Sequence, residues 1–348
     1  MTASVSDFRS DTVTVPTDEM RAAMAAAPVG DDVLDGDPTV RELEREAARW
    51  LGKQDCLFVP SGTMANQVAI GAWMRPGDEL VVEREAHVLR WEAGAAAANH
   101  GVQCVSLPGR RGALDPDEVL RTIRSRNIHS PRTGLVCVEQ THMGAGGSVV
   151  ELENLEAIAA LGREHSIPVH LDGARLANAV VASGIAAERW AACADSVSLC
   201  FSKGLGAPVG SVLAADDRAF FERARVVRKR LGGWMRQAGV IAAGGLWALE
   251  HNLERLEEDH VLARALAESL HGLPGIHCPP ALVQTNIVMV QVDHPRHDPA
   301  SIAAALEQQG VRVLPMSADS LRFVTHLDVG EEDVKRATQA MRGVLEER

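Results

Sequence analysis

A lysine and an aspartate stand at the ends of two apolar runs whose pattern is typical of β-strands. Lys203 follows the run 196–201 and precedes a glycine-rich turn, and Asp172 directly follows the run 167–171. A lysine amine can form a Schiff base with the aldehyde of pyridoxal phosphate, and a carboxylate can hold its pyridine nitrogen protonated so that the ring accepts electrons. Either residue alone is more often an ordinary surface residue, but the pair predicts a pyridoxal-phosphate site.

The turn 60–63 (PSGT) lies between a short predicted strand and a predicted helix, and it suits a phosphate group. Gly62 allows the backbone to approach an anion, Thr63 supplies a hydroxyl, and a helix amino terminus presents unpaired N–H groups. The longer Walker loop and the GxGxxG motif of dinucleotide folds are both missing from the sequence, so we expect a monophosphate. Such a turn can also cap a helix for structural reasons alone, and its weight comes from its agreement with the lysine and the aspartate.

Two histidines follow predicted strands of the same sheet. His87 lies in a predicted loop after the strand 79–82, and His142 follows the strand 134–138. A lone histidine is more often a structural residue. Because the carboxyl ends of strands in an open α/β sheet line the ligand crevice, we expect both histidines to face the same crevice as the lysine and the aspartate. The imidazole of His87 is suited to stack flat on a pyridine ring.

Three arginines are candidates for binding anions. Arg175 follows the aspartate by three residues, Arg322 stands near the start of the predicted strand 321–326, and Arg236 follows a Gly-Gly pair. A planar guanidinium pairs with a carboxylate through two hydrogen bonds, which suits an amino-acid substrate. Each arginine taken singly is more often part of a surface ion pair, and Arg236 could either reach a phosphate or decorate a loop.

Composition limits the classes of function that fit the chain. The 348 residues are 46% apolar and 24% charged, as in soluble globular proteins, and the net charge of −12 argues against a nucleic-acid surface. We expect no membrane helix and no secretory signal, since the sequence has neither pattern. The six cysteines have no CxxC or zinc spacing, so we expect reduced thiols, no metal site and a cytoplasmic location. The absence of tyrosine excludes mechanisms that need a catalytic phenol.

Short apolar runs alternate with helical patterns through most of the chain. This alternation predicts an α/β fold with a mostly parallel central sheet and helices on both faces. The predicted strands of this sheet are 79–82, 103–107, 134–138, 168–171, 196–201 and 210–214. The predicted helices are 17–27, 39–51, 64–73, 91–100, 115–124, 152–165, 217–230 and a long helical stretch at 235–270.

The pattern changes after about residue 275, where strands at 287–292 and 321–326 combine with helices at 299–309 and 331–346. We therefore expect a large cofactor-binding domain, residues 1–255, and a smaller carboxy-terminal α+β domain, residues 256–348. The amino-terminal segment is expected to contribute to the active site.

Several segments together resemble the low-specificity L-threonine aldolases, which are pyridoxal-phosphate enzymes of the aspartate-aminotransferase fold (fold type I). The resemblance covers nearly the whole chain. Its segments, in order, are 8–14 (FRSDTVT), 28–33 (PVGDDV), 37–39 (DPT), 61–63 (SGT), 172–175 (DGAR), 202–206 (SKGLG), 232–237 (GGWMRQ) and 325–328 (THLD).

The resemblance implies a role for each matching residue. It implies that Lys203 forms the Schiff base, that Asp172 contacts the pyridine nitrogen and that His87 stacks on the ring. The remaining implied contacts are Gly62, Thr63 and Arg236 with the phosphate, Ser10, Arg175 and Arg322 with the substrate carboxylate, Arg175 also with the cofactor, and His142 with the substrate hydroxyl. It also implies a homotetramer or homodimer with active sites built between subunits.

This chain departs from the family at the expected substrate rim. Leu34 stands where the family usually has tyrosine, and Met143 stands where it usually has asparagine. Val88, Leu89 and Arg90 stand where polar and aromatic residues are usual. The rim is therefore expected to be less polar and to favour aromatic or longer side chains, whereas an inward-pointing Arg90 would favour an acidic one.

The expected reaction is retro-aldol cleavage of an L-β-hydroxy-α-amino acid, such as threonine, allo-threonine or phenylserine, to glycine and an aldehyde. Lys203 and Asp172 serve the cofactor in this reaction, and His142 or an ordered water takes the hydroxyl proton. Two alternatives remain open. The protein could be a β-eliminating lyase or an aminotransferase with the same cofactor, or a catalytically silent relative that acts as a binding protein.

Overall fold

Strands and helices alternate along most of the chain in the computed structural model, which describes residues 5–125 and 127–346. The strands are, in chain order, β1 (Ser6–Asp7), β2 (Asp55–Val59), β3 (Glu79–Glu83), β4 (Gln103–Leu107), β5 (Gly109–Arg110), β6 (Ala113–Leu114), β7 (Thr133–Glu139), β8 (Val169–Gly173), β9 (Ser196–Cys200), β10 (Ser211–Ala215), β11 (Ile276–His277), β12 (Ile287–Val292), β13 (Val311–Arg312), β14 (Leu314–Pro315) and β15 (Ser320–Val324). The α-helices are α1 (Asp18–Ala26), α2 (Pro38–Leu51), α3 (Gly62–Trp73), α4 (His87–Arg90), α5 (Ala95–His100), α6 (Pro116–Thr122), α7 (Leu152–His165), α8 (Leu176–Ser183), α9 (Ala187–Ala191), α10 (Arg218–Arg230), α11 (Gly239–His251), α12 (Leu256–Leu270), α13 (Pro299–Gln308) and α14 (Glu331–Glu346).

A seven-stranded sheet forms the centre of the larger part of the molecule. Its strand order is β2-β10-β9-β8-β7-β3-β4. β10 is antiparallel to both of its neighbours, and every other neighbouring pair is parallel. β3, β7, β8, β9 and β10 are buried at every position because helices cover both faces. The predicted α/β fold with a mostly parallel sheet is confirmed.

Two helical predictions differ from the structure. The predicted helix 91–100 begins only at Ala95, because Ala93 and Gly94 adopt positive φ angles of 53° and 71° that a right-handed helix cannot contain. The predicted stretch 235–270 is divided into α11 and α12, with a break after His251. Asn252 lies in this break and is buried. Its side chain donates a hydrogen bond to the carbonyl of Leu205.

A second core surrounds the smaller, antiparallel sheet β11-β12-β15-β14. The amino-terminal segment joins this core, since β1 pairs in parallel with β13, and Phe8 packs against Phe323 with ring centroids 5.9 Å apart. The carbonyl of Phe8 also accepts a hydrogen bond from Val324. The amino terminus therefore links the small sheet to the crevice of the large one. In the described residues, no helix combines the length and the apolar character needed to cross a bilayer.

Candidate active site

Asp172 and Lys203 come from neighbouring parallel strands. Asp172 lies in β8 and pairs in register with Ser198 of β9, and Lys203 follows the end of β9 by three residues. Asp172 is 2% exposed. Burial alone would raise the pKa of Asp172, but His87, when its ring is protonated, and the charge of Lys203 lower it below its ordinary value. The buried carboxylate is thus held ionised and is suited to pair with a cation such as a protonated ring nitrogen.

Hydrogen bonds from the backbone and from two side chains fix the turn that carries the lysine. The N–H of Gly206, at a φ of 77°, donates to the carbonyl of Lys203 at 2.7 Å. The break between α11 and α12 supplies two further donors: Asn252 to the Leu205 carbonyl at 2.7 Å and Arg255 to the Gly204 carbonyl at 3.3 Å. The segment between the two helices therefore helps to hold the lysine turn in place.

His87 lies beside the aspartate, as the sequence predicts. It begins α4, where its backbone N–H donates to Glu139 Oε2 at 2.7 Å. Its ring Nδ1 is 3.1 Å from Glu92 Oε1, and polar atoms of His87, Glu92 and Asp172 all lie within 4.8 Å of one another. These three side chains could also ligate a metal ion, but both Glu92 oxygens already accept amide hydrogens from Asn66 and Gln67.

The phosphate turn opens α3. Ser61 caps the helix by accepting from the Met64 N–H at 3.2 Å. The backbone N–H groups of Gly62 and Thr63 take part in no hydrogen bond among residues 5–125 and 127–346. Ser211 Oγ is buried and has no hydrogen-bond partner among the same residues. It lies 3.8 Å from the position that a Cβ on Gly62 would occupy. Free N–H groups and an unpaired hydroxyl at a helix amino terminus fit a bound phosphate.

Arg236 lies on a neighbouring loop, but its side chain forms a surface ion pair. Its Nη1 is 3.1 Å from Asp31 Oδ1, and the arginine side chain is 52% exposed. Gly233 of the same loop lies against the phosphate turn, since a Cβ there would be 3.3 Å from Pro60 Cδ. The loop therefore borders the turn, and the contact of Arg236 with phosphate stays a prediction.

Ser10, Arg175 and Arg322 are brought together by the amino-terminal segment. Arg175 donates from Nε and Nη2 to the two oxygens of Asp11, at 2.7 Å and 2.6 Å. Arg322 Nη2 donates to the carbonyl of Arg9 at 3.0 Å. Ser10 caps the short 3-10 helix that contains Asp11, and its side chain is half-buried.

This arginine pair leaves an uncompensated positive charge. Arg175 and Arg322 are 5% and 8% exposed, and Asp11 is the carboxylate paired with Arg175. Burial, and then repulsion from Arg175, lower the pKa of Arg322 to about 10. Within the described residues, the buried Arg322 Nε has no hydrogen-bond partner. Two buried cations with one carboxylate between them form a site that favours a further anion, such as a substrate carboxylate.

His142 lies deeper than the other predicted residues, at 1% exposure. Its Nε2 is 2.9 Å from Glu83 Oε2, and its Nδ1 accepts from the Ala145 N–H at 3.2 Å. Burial alone would lower the pKa of His142, but the charges of Glu139 and Glu83 raise it. Its Nε2 forms an ion-pair contact but no hydrogen bond among the described residues, and the contact of His142 with a substrate hydroxyl stays a prediction.

The three departures at the expected rim lie in different environments. Met143 is buried, and its Sδ is 3.2 Å from Arg322 Nη1, so it contacts the carboxylate site directly. Leu34 is 75% exposed on its loop. Arg90 points to the surface, where its Nε is 3.5 Å from Glu85 Oε2, which removes the reason to expect an acidic substrate side chain.

Sequence reasoning missed the polar residues behind the site, chiefly Asn66, Glu92 and Asp11. Asn66 donates to Asp172 Oδ2 at 2.7 Å and is itself 2% exposed. One signal was available: Asn66 and Gln67 are a polar pair inside an otherwise apolar helix, a pattern that often marks a buried network. The partners of Glu92 and Asp11 lie far away in the chain or follow an irregular turn, so spacing alone does not reveal them.

Comparison with known proteins identifies the family. The family model described as "Beta-eliminating lyase" matches residues 7–294. The chain belongs to this family.

Two curated relatives confirm the closer resemblance. The chain is 40% identical over 334 residues to "Probable low-specificity L-threonine aldolase 2" of Arabidopsis thaliana, covering 94% of each chain. It is also 40% identical over 344 residues to "Low specificity L-threonine aldolase" of Escherichia coli strain K12, covering 97% of this chain and 99% of the relative. The chain is thus a member of the beta-eliminating lyase family that resembles its threonine aldolases over nearly its whole length.

Two solved structures have the same fold as this chain. The Leishmania major threonine aldolase superimposes with a TM-score of 0.82 at 20% identity, covering 98% of this chain and 99% of that one. A Thermus thermophilus aspartate aminotransferase superimposes with a TM-score of 0.75 at 18% identity, covering 98% and 92%. The predicted fold type I architecture of this beta-eliminating lyase family member is confirmed.

Proposed function

We propose that this protein is a pyridoxal-phosphate-dependent aldolase that cleaves L-β-hydroxy-α-amino acids, threonine among them, to glycine and an aldehyde. The single observation that carries the proposal is the placement of a buried Asp172 and of Lys203 at the same ends of two neighbouring parallel strands, close enough for the lysine charge to lower the pKa of the carboxyl group. The family membership and the names of the curated relatives agree with this reaction.

The residues present fit the cofactor. Asp172 would hold the ring nitrogen, Lys203 the aldehyde carbon, His87 one ring face, and the N–H groups of Gly62 and Thr63 the phosphate. The unpaired Ser211 hydroxyl beside that turn supports this placement. Bound there, pyridoxal phosphate supplies an acceptor for the electron pair that is released when the Cα–Cβ bond breaks.

The arginine pair orients the substrate. A carboxylate placed on Arg322 and Arg175 would complete the charge balance of the site, where Asp11 compensates for only one of the two guanidinium groups. Holding one end of the substrate fixes the direction of the bond to be cleaved, which is a large part of the rate advantage of a positioned reaction.

The hydroxyl proton of the substrate needs an acceptor. We propose His142 or an ordered water, as the sequence predicts, with Glu83 and Glu139 beside the histidine to balance a positive ring. His87 is a second candidate, because it is partly exposed whereas His142 is enclosed. A positioned general base contributes about 10²–10⁴-fold to rate.

Product analysis tests the proposal. The purified protein, incubated with pyridoxal phosphate and either L-threonine, L-allo-threonine or L-phenylserine, is expected to release glycine with acetaldehyde or benzaldehyde. Pyruvate and ammonia would instead indicate a β-eliminating lyase, and pyridoxamine phosphate an aminotransferase. A colourless protein that binds no cofactor would favour the catalytically silent alternative and overturn the proposal.

We also propose a homotetramer or homodimer with shared active sites and a cytoplasmic location. The 75% exposure of Leu34, on the loop that Arg236 contacts through Asp31, suits an apolar contact between subunits. All six cysteines are free, in agreement with the predicted reduced thiols. Light scattering coupled to size-exclusion chromatography measures the subunit number, and a monomer would contradict this part of the proposal.

A further inference from the structure

A network of buried hydrogen bonds leads from Trp73 to His87, and the carboxylates at its far end fix its direction. An indole N–H can only donate. Trp73 Nε1 donates to Ser196 Oγ at 2.9 Å, so that oxygen acts as acceptor there and has one hydrogen left to give. The same hydroxyl lies 2.9 Å from His170 Nδ1, where it can donate its hydrogen or accept through its second lone pair.

His170 is the next residue in this network. It is fully buried, and desolvation lowers its pKa to about 4, so at neutral pH its ring is uncharged and carries a single N–H. The Asn66 amide decides which nitrogen carries it: Nε2 lies 3.1 Å from Asn66 Oδ1, an oxygen that can only accept, so the hydrogen is on Nε2 and Nδ1 accepts from the Ser196 hydroxyl.

Asn66 then directs its amide nitrogen at two carboxylates. Its Nδ2 is 2.7 Å from Asp172 Oδ2 and 2.8 Å from Glu92 Oε1. The two carboxylates demand this orientation, because a reversed amide would place its oxygen against two carboxylate oxygens. They therefore fix how the Asn66 amide lies, and the contacts of His170 and Ser196 are compatible with it.

Glu92 is the last residue of this network before His87. Its side chain is fully buried, Oε2 accepts from Gln67 Nε2 at 2.8 Å, and Oε1 accepts from Asn66. Its remaining contact is His87 Nδ1, at 3.1 Å from Oε1. A carboxylate can only accept, so the imidazole nitrogen that faces it carries the hydrogen.

We propose that Glu92 is a positioning residue that holds His87 in the tautomer protonated on Nδ1, leaving the lone pair of Nε2 free. The pattern is that of a carboxylate behind an imidazole, which fixes the ring orientation and decides which nitrogen can accept a proton. The inference deepens the proposed function, on which it rests for the place of His87 beside the cofactor. The tautomer itself does not depend on that function.

The tautomer is measured directly by two-bond ¹H–¹⁵N NMR on the full-length protein labelled with ¹⁵N-histidine. The spectra are recorded above the pH range in which imidazoles titrate, with and without pyridoxal phosphate, and the His87 signals are assigned by their loss in His87→Asn. We expect a protonated Nδ1 and an unprotonated Nε2. A wild-type protein with its hydrogen on Nε2 would overturn the proposal, whatever reaction the enzyme catalyses.

A matched pair of variants tests the role of the carboxylate. In Glu92→Leu the side chain accepts no hydrogen, so we expect both tautomers of His87 and a kcat lower by about 10–100-fold, the size of the loss when the partner behind a metal-binding histidine is removed. The same change at half-exposed Glu85, Glu85→Leu, is expected to leave the tautomer and kcat unchanged. Glu92→Asp, which keeps a carboxylate, is expected to restore the Nδ1 tautomer in part.

The outcomes separate this inference from the proposed function. If Glu92→Leu folds and keeps the wild-type tautomer, Glu92 is not the positioning residue. If Glu92→Leu does not fold, the wild-type spectrum still decides. If the expected tautomers are found but no variant or wild-type protein releases glycine, the proposed function fails and the inference about Glu92 stands.

Discussion

Asp11 and Arg175 form a buried ion pair with two hydrogen bonds, of 2.6 Å and 2.7 Å, between residues far apart in the chain. Asp11 belongs to the amino-terminal segment, and Arg175 follows Asp172, the residue proposed to hold the cofactor ring nitrogen, by three residues. Asn286 of the small sheet also donates to Asp11, at 3.1 Å. The pair therefore ties three separate parts of the chain to one side of the crevice.

Asp11→Asn is expected to destabilise the protein by about 3–5 kcal/mol at pH 7, because it leaves the buried Arg175 without its charge partner. Burial alone would raise the pKa of Asp11, but Arg175 lowers it far below its ordinary value. The stabilisation is thus complete above the unfolded pKa of about 3.9 and is lost as the pH falls below it. Urea unfolding at neutral and acidic pH measures both effects.

The control for this experiment is Asp35→Asn, at an exposed aspartate. We expect a change within about 0.5 kcal/mol there. If Asp11→Asn is as stable as this control, the ion pair does not hold the amino-terminal segment in place.

Met143 is expected to set a preference for aromatic substrates. Its side chain is buried with Ile287 and Val324, and its sulfur contacts the Arg322 guanidinium. We expect kcat/KM to be higher for L-phenylserine than for L-threonine, and Met143→Asn to reduce this ratio by about tenfold, since a change in one apolar contact is worth about 1–3 kcal/mol. Met143→Leu, which conserves volume and polarity, is expected to keep the ratio. A wild-type preference for threonine would reject this role.

The contact between Glu83 and His142 predicts a pH-dependent contribution to stability. Glu139 and Glu83 raise the pKa of His142 against the opposing effect of burial. A raised histidine pKa adds stability that is fully present below the unfolded value of about 6.5 and is lost as the pH rises through the folded value. The difference in melting temperature between wild type and Glu83→Gln should therefore shrink from mildly acidic to alkaline pH. Glu307→Gln, at an exposed ion pair, should show no such trend.

The fold was predictable because its signals are local. Helices cover both faces of the sheet, so its strands are apolar at nearly every position. The runs that end near Asp172 and Lys203 have this continuous apolar pattern, and it predicted them as strands. The break between α11 and α12 was not predictable, since its apolar repeat continues on both sides. In this break Asn252 and Arg255 donate to carbonyl groups of the lysine turn, and those contacts form only in the tertiary structure.

The candidate active site also has a part that the sequence predicts and a part that it does not. Residues that follow strands, such as His87, could be placed at one edge of the sheet from the strand pattern alone. The buried partners of those residues could not, because Asn66 and Asp172 are distant in the chain and meet only after the sheet and α3 have packed. His142 shows the limit most clearly: its position after a strand was predictable, but its enclosure beside Glu83 was not.

The central claim is that Asp172 and Lys203 hold the two ends of one pyridoxal phosphate molecule. Borohydride reduction of the protein with bound cofactor, followed by mass spectrometry of its peptides, tests this claim most directly. We expect one phosphopyridoxyl group per chain, attached to Lys203, and none at that position in Lys203→Ala. Attachment to a different lysine in the wild-type protein, or no attachment at all, would contradict the account.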